Sequence, residues 1–215
     1  MNKEQIILNT IDFVKETLEG AEGGHDWFHI ERVYKNALLI SENEKVDPFT
    51  VQLGALLHDI ADAKFYDGDE SIGPKKARDF LKSQQVEETV ISHIENIILF
   101  ISYKSSFDHN KSFSSPELNV IQDADRLDAL GALTVGRVFE FAGKTKIPTY
   151  DPEEDNSLEY KSNDDDSCIG HFHRKTLKIT PDKFHTKTAQ EIAKGRYEFV
   201  KEFVDRYVKE WNGEL

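Results

Sequence analysis

Residues 54–65 read GALLHDIADAKF, and the fold follows from how this stretch is read. Just upstream, Asp47-Pro48 supplies a helix start, with proline at an early helical position where its missing N–H costs nothing. Leu53, Leu56, Leu57 and Ile60 then recur at helical spacing, so the stretch reads as an apolar helix running to about Ile60. His58 and Asp59 interrupt that run with two polar groups. Burial of such groups is costly unless hydrogen bonds or a cation compensate.

The same period recurs on either side. Ile7, Ile11, Val14 and Leu18 mark one face of a first helix over about 3–18, and the glycine-rich 20–24 breaks it. A second helix starts near Asp26 and carries Ile30, Val33, Ala37 and Ile40 on one stripe. A short helix runs from Pro74 through Leu81, and a strongly periodic one carries Val90, Ile94, Ile97, Ile98 and Ile101. The serine-rich 103–116 reads as a loop. Helix resumes from about Pro116 to Phe141, interrupted near Gly131 or Gly136, and a long last helix spans about Thr186 to Trp211. No segment alternates with a period of two. The expected fold is therefore all-α, a single-domain helical bundle over 1–215, with a mobile acidic excursion at 144–168.

Composition narrows the function classes. The chain has 215 residues, 38% of them hydrophobic and 31% charged, which fits a globular protein. No apolar run reaches the roughly 18 residues of a membrane span, and the first twenty residues lack a leader's apolar core, so the expectation is a cytoplasmic protein with no membrane partner. Cys168 is the only cysteine, which excludes an intrachain disulfide and cysteine-rich zinc sites. A net charge of −13 argues against extended nucleic-acid binding. It does not exclude a small phosphorylated ligand, because one divalent cation can invert the field of a pocket.

Three short pieces place metal-capable side chains within apolar helical stripes: His29 in HDWFHIERV, His58-Asp59 in GALLHDIADAKF, and Asp125 in IQDADRLDALGA. Each alone has a bland reading. A lone buried histidine is usually a hydrogen-bonded core residue, and Asp125 could pair with Arg32 or Arg126. Together, two imidazoles and two carboxylates from three helices make a mixed nitrogen and oxygen site that suits Mn, Fe, Co, Ni or Zn, and Mg less well.

The order His, then His-Asp, then Asp on separate helices resembles the HD-domain superfamily of metal-dependent phosphohydrolases. HIENIILFISYK (93–104), DADRLDALGA (123–132) and HFHRKTLKI (171–179) extend the resemblance to one bacterial branch of it, over most of the chain. The resemblance implies one divalent cation, Mn, Mg, Fe, Co or Ni with manganese first, held by His29, His58, Asp59 and Asp125, with His25 and Asp26 at flanking positions. It also implies a small phosphorylated partner, a nucleotide, and hydrolysis of nucleoside or deoxynucleoside triphosphates to monophosphate and pyrophosphate. A 5′-nucleotidase, a dinuclear HD phosphodiesterase and a non-catalytic nucleotide sensor stand as alternatives, and monomer and homodimer are both open.

Around these positions, Asp62 follows His58 by four residues and is read as the orienting base, with Lys64 as a phosphate contact. Arg32 and Arg126 lie beside the ligand positions, where a guanidinium can grip a phosphate or neutralise a carboxylate, and Asp128, close to Asp125, is taken with them as substrate-binding. Tyr103 and Lys104 sit where a helix ends and can reach a base or phosphate. His93 and His109 fall between the HD pair and Asp125, where a second metal would draw its ligands; a packed role for His93 is the default.

Overall fold

The computed structural model describes residues 2–21, 25–61, 68–101, 113–154 and 167–215. Among the described residues the elements are α1 (Lys3–Thr17), α2 (Trp27–Ser41), α3 (Pro48–Leu57), α4 (Ile72–Ser83), α5 (Glu88–Phe100), α6 (Pro116–Asp128), α7 (Ala132–Thr145), α8 (Cys168–Arg174) and α9 (Lys187–Trp211), with two 3₁₀ turns between α8 and α9 and no strand. No helix among them is long and apolar enough to cross a membrane. The chain divides after Asp125 into two compact units.

In the first unit α3 is the buried centre. Its start is fixed locally: the Asp47 carboxylate accepts from the Thr50 N–H at 2.9 Å and from the Thr50 hydroxyl at 2.6 Å, with Pro48 at the first helical position. Val51, Leu53, Ala55, Leu56 and Leu57 are all fully buried, and α3 packs against α1, α2 and α5, leaving Gln52 half-buried. Each such leucine contributes about 1.5–3 kcal/mol of burial. Gly54 permits the closest approach; a Cβ there would meet the Ile121 side chain at 2.5 Å.

Sequence reasoning extends α3 to Ile60, but the helix ends at Leu57. His58 is its C-cap residue, and Ile60 N–H closes a tight turn on the Leu57 carbonyl at 3.3 Å. His58 and Asp59 therefore leave the helix at its end. A helix-face relation between His58 and Asp62 does not carry through this turn, and Asp62 lies outside the described residues.

α2 begins where Asp26 accepts the His29 N–H at 2.9 Å, and its buried face is His29, Ile30, Val33, Asn36, Ala37 and Ile40. α1 and α4 meet through stacked Phe13 and Phe80 rings, 4.1 Å between centroids. α5 buries Ile91, Ile94 and Ile97, and Arg78 of α4 binds Glu88 and Glu95 of α5.

In the second unit the expected interruption falls at Gly131, whose φ of 89° is a left-handed conformation that glycine adopts without penalty. A Cβ there would also press on the Arg196 side chain at 3.1 Å. Ala142, Cys168, Ile169, Phe172, Val200 and Val204 form the core between α7, α8 and α9, ringed by Val138, Phe139, Phe203 and Tyr207. Part of the expected excursion is tied down. Cys168 and Ile169 N–H groups donate to the carbonyls of Pro148 and Thr149 at 3.1 and 3.2 Å, Tyr150 packs edge-on to Trp211, and Glu154 binds Arg174 and Ser167. Residues 155–166 lie outside the described ones.

α8 carries His171, whose pKa is pulled down to about 4 by burial, with Lys175 and Arg174 adding repulsion. The unfolded chain protonates this group near 6.5 while the fold keeps it neutral to about 4, so the unfolded state binds the extra proton inside that window. Stability should fall as pH drops from 6.5 toward 4 and be unaffected by this group at higher pH. His171→Asn should flatten that part of the profile. Urea unfolding at pH 7 and pH 5 checks this, and an equal loss in variant and wild type would refute it.

Candidate metal centre

His29 and His58 are each 6% exposed, and buried imidazoles need partners. The His58 Nδ1 lies 2.9 Å from the Ala55 carbonyl, an acceptor, so Nδ1 carries the hydrogen and Nε2 is left as the basic nitrogen. That Nε2 faces Asp125 Oδ1 at 3.9 Å, and His29 Nε2 faces the same oxygen at 3.5 Å. The two rings stand 5.4 Å apart, inclined by 63°. One ligand atom from each of His29, His58 and Asp125 can be chosen so that all lie within 4.8 Å of one another.

Secondary structure explains the convergence. His29 is one turn into α2, His58 caps α3, and Asp125 is in the last turn of α6. Asn36, two turns beyond His29 on the same face of α2, donates from Nδ2 to the Ala124 carbonyl at 3.3 Å and so ties α6 to α2 beside Asp125. Sequence reasoning passed over Asn36; a polar residue seven positions after His29, within the apolar stripe, was the available signal.

Asp59 stands beside this group. Its Oδ2 lies 2.5 Å from the Nδ1 of His25. Burial acts to raise the Asp59 pKa, but the hydrogen bond from His25 and the nearby imidazoles of His58, His25 and His29 outweigh it, and the carboxyl is held below the ordinary aspartate value. Asp59 is thus an anion set among three histidines. The His29 and His58 imidazoles and the Asp125 carboxylate form a donor set that fits a divalent transition metal, with imidazole favouring Mn, Fe, Co, Ni or Zn over Mg, and among the described residues Asp59 is not in that three-residue group.

The remaining expected residues are dispersed. Arg32 lies half-buried on α2, one turn after His29. Arg126 donates to the Lys183 carbonyl at 3.0 Å and contacts His185 at 3.2 Å. Asp128, its side chain 3% exposed, accepts from Arg137 at 2.8 Å. Asp62, Lys64, Tyr103, Lys104 and His109 lie outside the described residues. His93 takes the packed role: its Nε2 is 2.9 Å from the Ser115 hydroxyl and 3.7 Å from Glu117, and its ring meets Phe113 edge-on. Among the described residues it does not join the His29, His58 and Asp125 group.

The family model described as HD domain matches residues 27–130, which include all four expected ligands. The chain is 33% identical over 201 residues to the uncharacterized protein YpgQ of Bacillus subtilis, covering 94% of this chain and 91% of that one. It is similar to the crystal structure of an HD-superfamily hydrolase from Bacillus thuringiensis, with 36% identity, a TM-score of 0.80, and 98% and 99% of the two chains covered. It is also similar to Bacillus subtilis YpgQ in complex with ADP, with 30% identity, a TM-score of 0.72 and 97% of each chain covered. The chain belongs to the HD-domain superfamily and is a metal-dependent phosphohydrolase.

Proposed function

We propose that the protein hydrolyses nucleoside or deoxynucleoside triphosphates to the monophosphate and pyrophosphate, using one divalent cation, manganese first, held by His29, His58, Asp59 and Asp125. The observation that carries this is the meeting of His29, His58 and Asp125 with all three ligand atoms within 4.8 Å. The nucleotide class is supported by the similarity to YpgQ, whose structure was solved with ADP. The net charge of −13 supports a small phosphorylated substrate over a nucleic-acid strand.

When bound, the cation supplies positive charge to phosphate oxygens and lowers the pKa of water at neutral pH. The protein's part is to orient. The Ala55 carbonyl fixes the His58 ring so that Nε2 faces the centre, and Asn36 fixes the α6 backbone beside Asp125. Water attacks the α-phosphorus, the bridging oxygen leaves with pyrophosphate, and Asp62 takes the proton released by the water. Lys64 and Arg126 contact the phosphates, Tyr103 and Lys104 reach a base or phosphate, and Arg32 and Asp128 complete the substrate-binding set.

The test is a release assay with Mn²⁺ and a panel of nucleoside mono-, di- and triphosphates, scoring pyrophosphate separately from orthophosphate. Pyrophosphate from triphosphates is the expected result. Orthophosphate from monophosphates would replace this reading with a 5′-nucleotidase, and silence with cation bound would replace it with a nucleotide sensor.

A further inference from the structure

Asp59 differs from the other three expected ligands in what supports it. His29 sits inside α2, His58 is tied to Ala55, and Asp125 lies on α6, whereas Asp59 is in the turn after α3 with no helical ladder of its own. Its fixed partner is His25, immediately before the Asp26 cap of α2. The contact spans 34 positions of sequence and measures 2.5 Å. The imidazole side chain is 37% exposed and the carboxylate 18%, so the pair lies at the rim of the buried group. An ionised carboxylate only accepts hydrogen bonds, so Nδ1 of His25 is the donor.

We propose that His25 is a positioning residue for the cation site: its Nδ1–H holds Oδ2 of Asp59 and thereby fixes the carboxylate beside the group of His29, His58 and Asp125. The idea rests on the metal-centre reading above and deepens it. Without the hydrogen bond, Asp59 is a short side chain in a turn, free to rotate about χ1 and χ2, and each cation bound must then order it. A carboxylate held in one rotamer avoids that loss. Partners of this kind are worth about 10- to 100-fold in metal affinity.

Stereochemistry supplies a sharp test. In His25→Asn the side-chain amide nitrogen falls where imidazole Nδ1 stood, whereas in His25→Gln it falls near the Nε2 position. Mn²⁺ and Co²⁺ affinities are measured by calorimetry on the metal-free protein, alongside the visible spectrum of the Co²⁺ form. His25→Ala and His25→Gln should weaken binding about 10- to 100-fold and shift the Co²⁺ bands, while His25→Asn recovers most of the affinity. The metal-free melting temperature should stay within about 2 °C in all three, because the site is at the surface rim. Wild-type affinity in His25→Ala would overturn the proposal, as would equal loss in Asn and Gln variants, which would make the ring itself the required group. Failure of the wild-type protein to bind either ion, unchanged by His58→Ala, would instead overturn the metal-centre reading and His25's role with it.

Discussion

His58→Ala, Asp59→Ala and Asp125→Ala are each expected to abolish cation-dependent hydrolysis while leaving the helical fold intact. The three side chains come from the end of α3, the turn after it and the last turn of α6, so no single element carries the site. A bound divalent cation stabilises the developing phosphate charge by several kcal/mol, and each 1.36 kcal/mol is a factor of ten, so the loss should be on the order of a thousandfold or more. None of the three contributes a large apolar surface, and helical circular dichroism should persist. Chelation should silence the wild-type protein, with Mn²⁺ restoring it and failing to restore the variants. Wild-type, cation-dependent turnover in all three variants would sink the assignment of these ligands.

Glu154→Ala should give the largest loss of stability. The Glu154 carboxylate accepts from the Arg174 guanidinium, the Ser167 hydroxyl and the Ser167 N–H, and the side chains of Glu154 and Arg174 are only 12% and 5% exposed. A Cβ on Gly170 would strike the same carboxylate, which explains a glycine in the first turn of α8. Removing one partner of a buried pair leaves the other charge uncompensated, at about 3–5 kcal/mol. The pair itself is a different quantity, since its desolvation offsets much of its attraction. Replacing both, as Glu154→Leu with Arg174→Met, should therefore lie closer to wild type than either single change. Denaturant unfolding of the singles and the double gives the coupling, and additive losses would show that the two groups do not act as a pair.

Much of the helical layout was legible from one-dimensional pattern. α1, α2 and α9 fall close to where the apolar stripes place them, because the 3.6-residue period is a local property, and the structure adds side-chain caps from Asn2, Asp26 and Thr186 at their starts. The end of α3 was not legible. Ile60 continues the apolar period and is buried, yet the chain reaches that burial by a turn, with the His58 ring bonded back to Ala55. Periodicity reports which residues are buried and not which backbone conformation buries them. The choice between Gly131 and Gly136 was open for a related reason: both can break a helix, and it is the left-handed backbone beside Arg196 that selects Gly131.

The sequence by itself determined the all-α class and the short list of metal-capable residues, because apolar period and side-chain chemistry are written residue by residue. Only the tertiary structure decided that His29, His58 and Asp125 meet, that His25 takes hold of Asp59 and that Asn36 locks α6 beside them. It also decided that His93 binds Ser115 and not the central group. These are contacts between positions tens of residues apart. The free energy that sets them comes from packing whole helices together, and no local pattern encodes that.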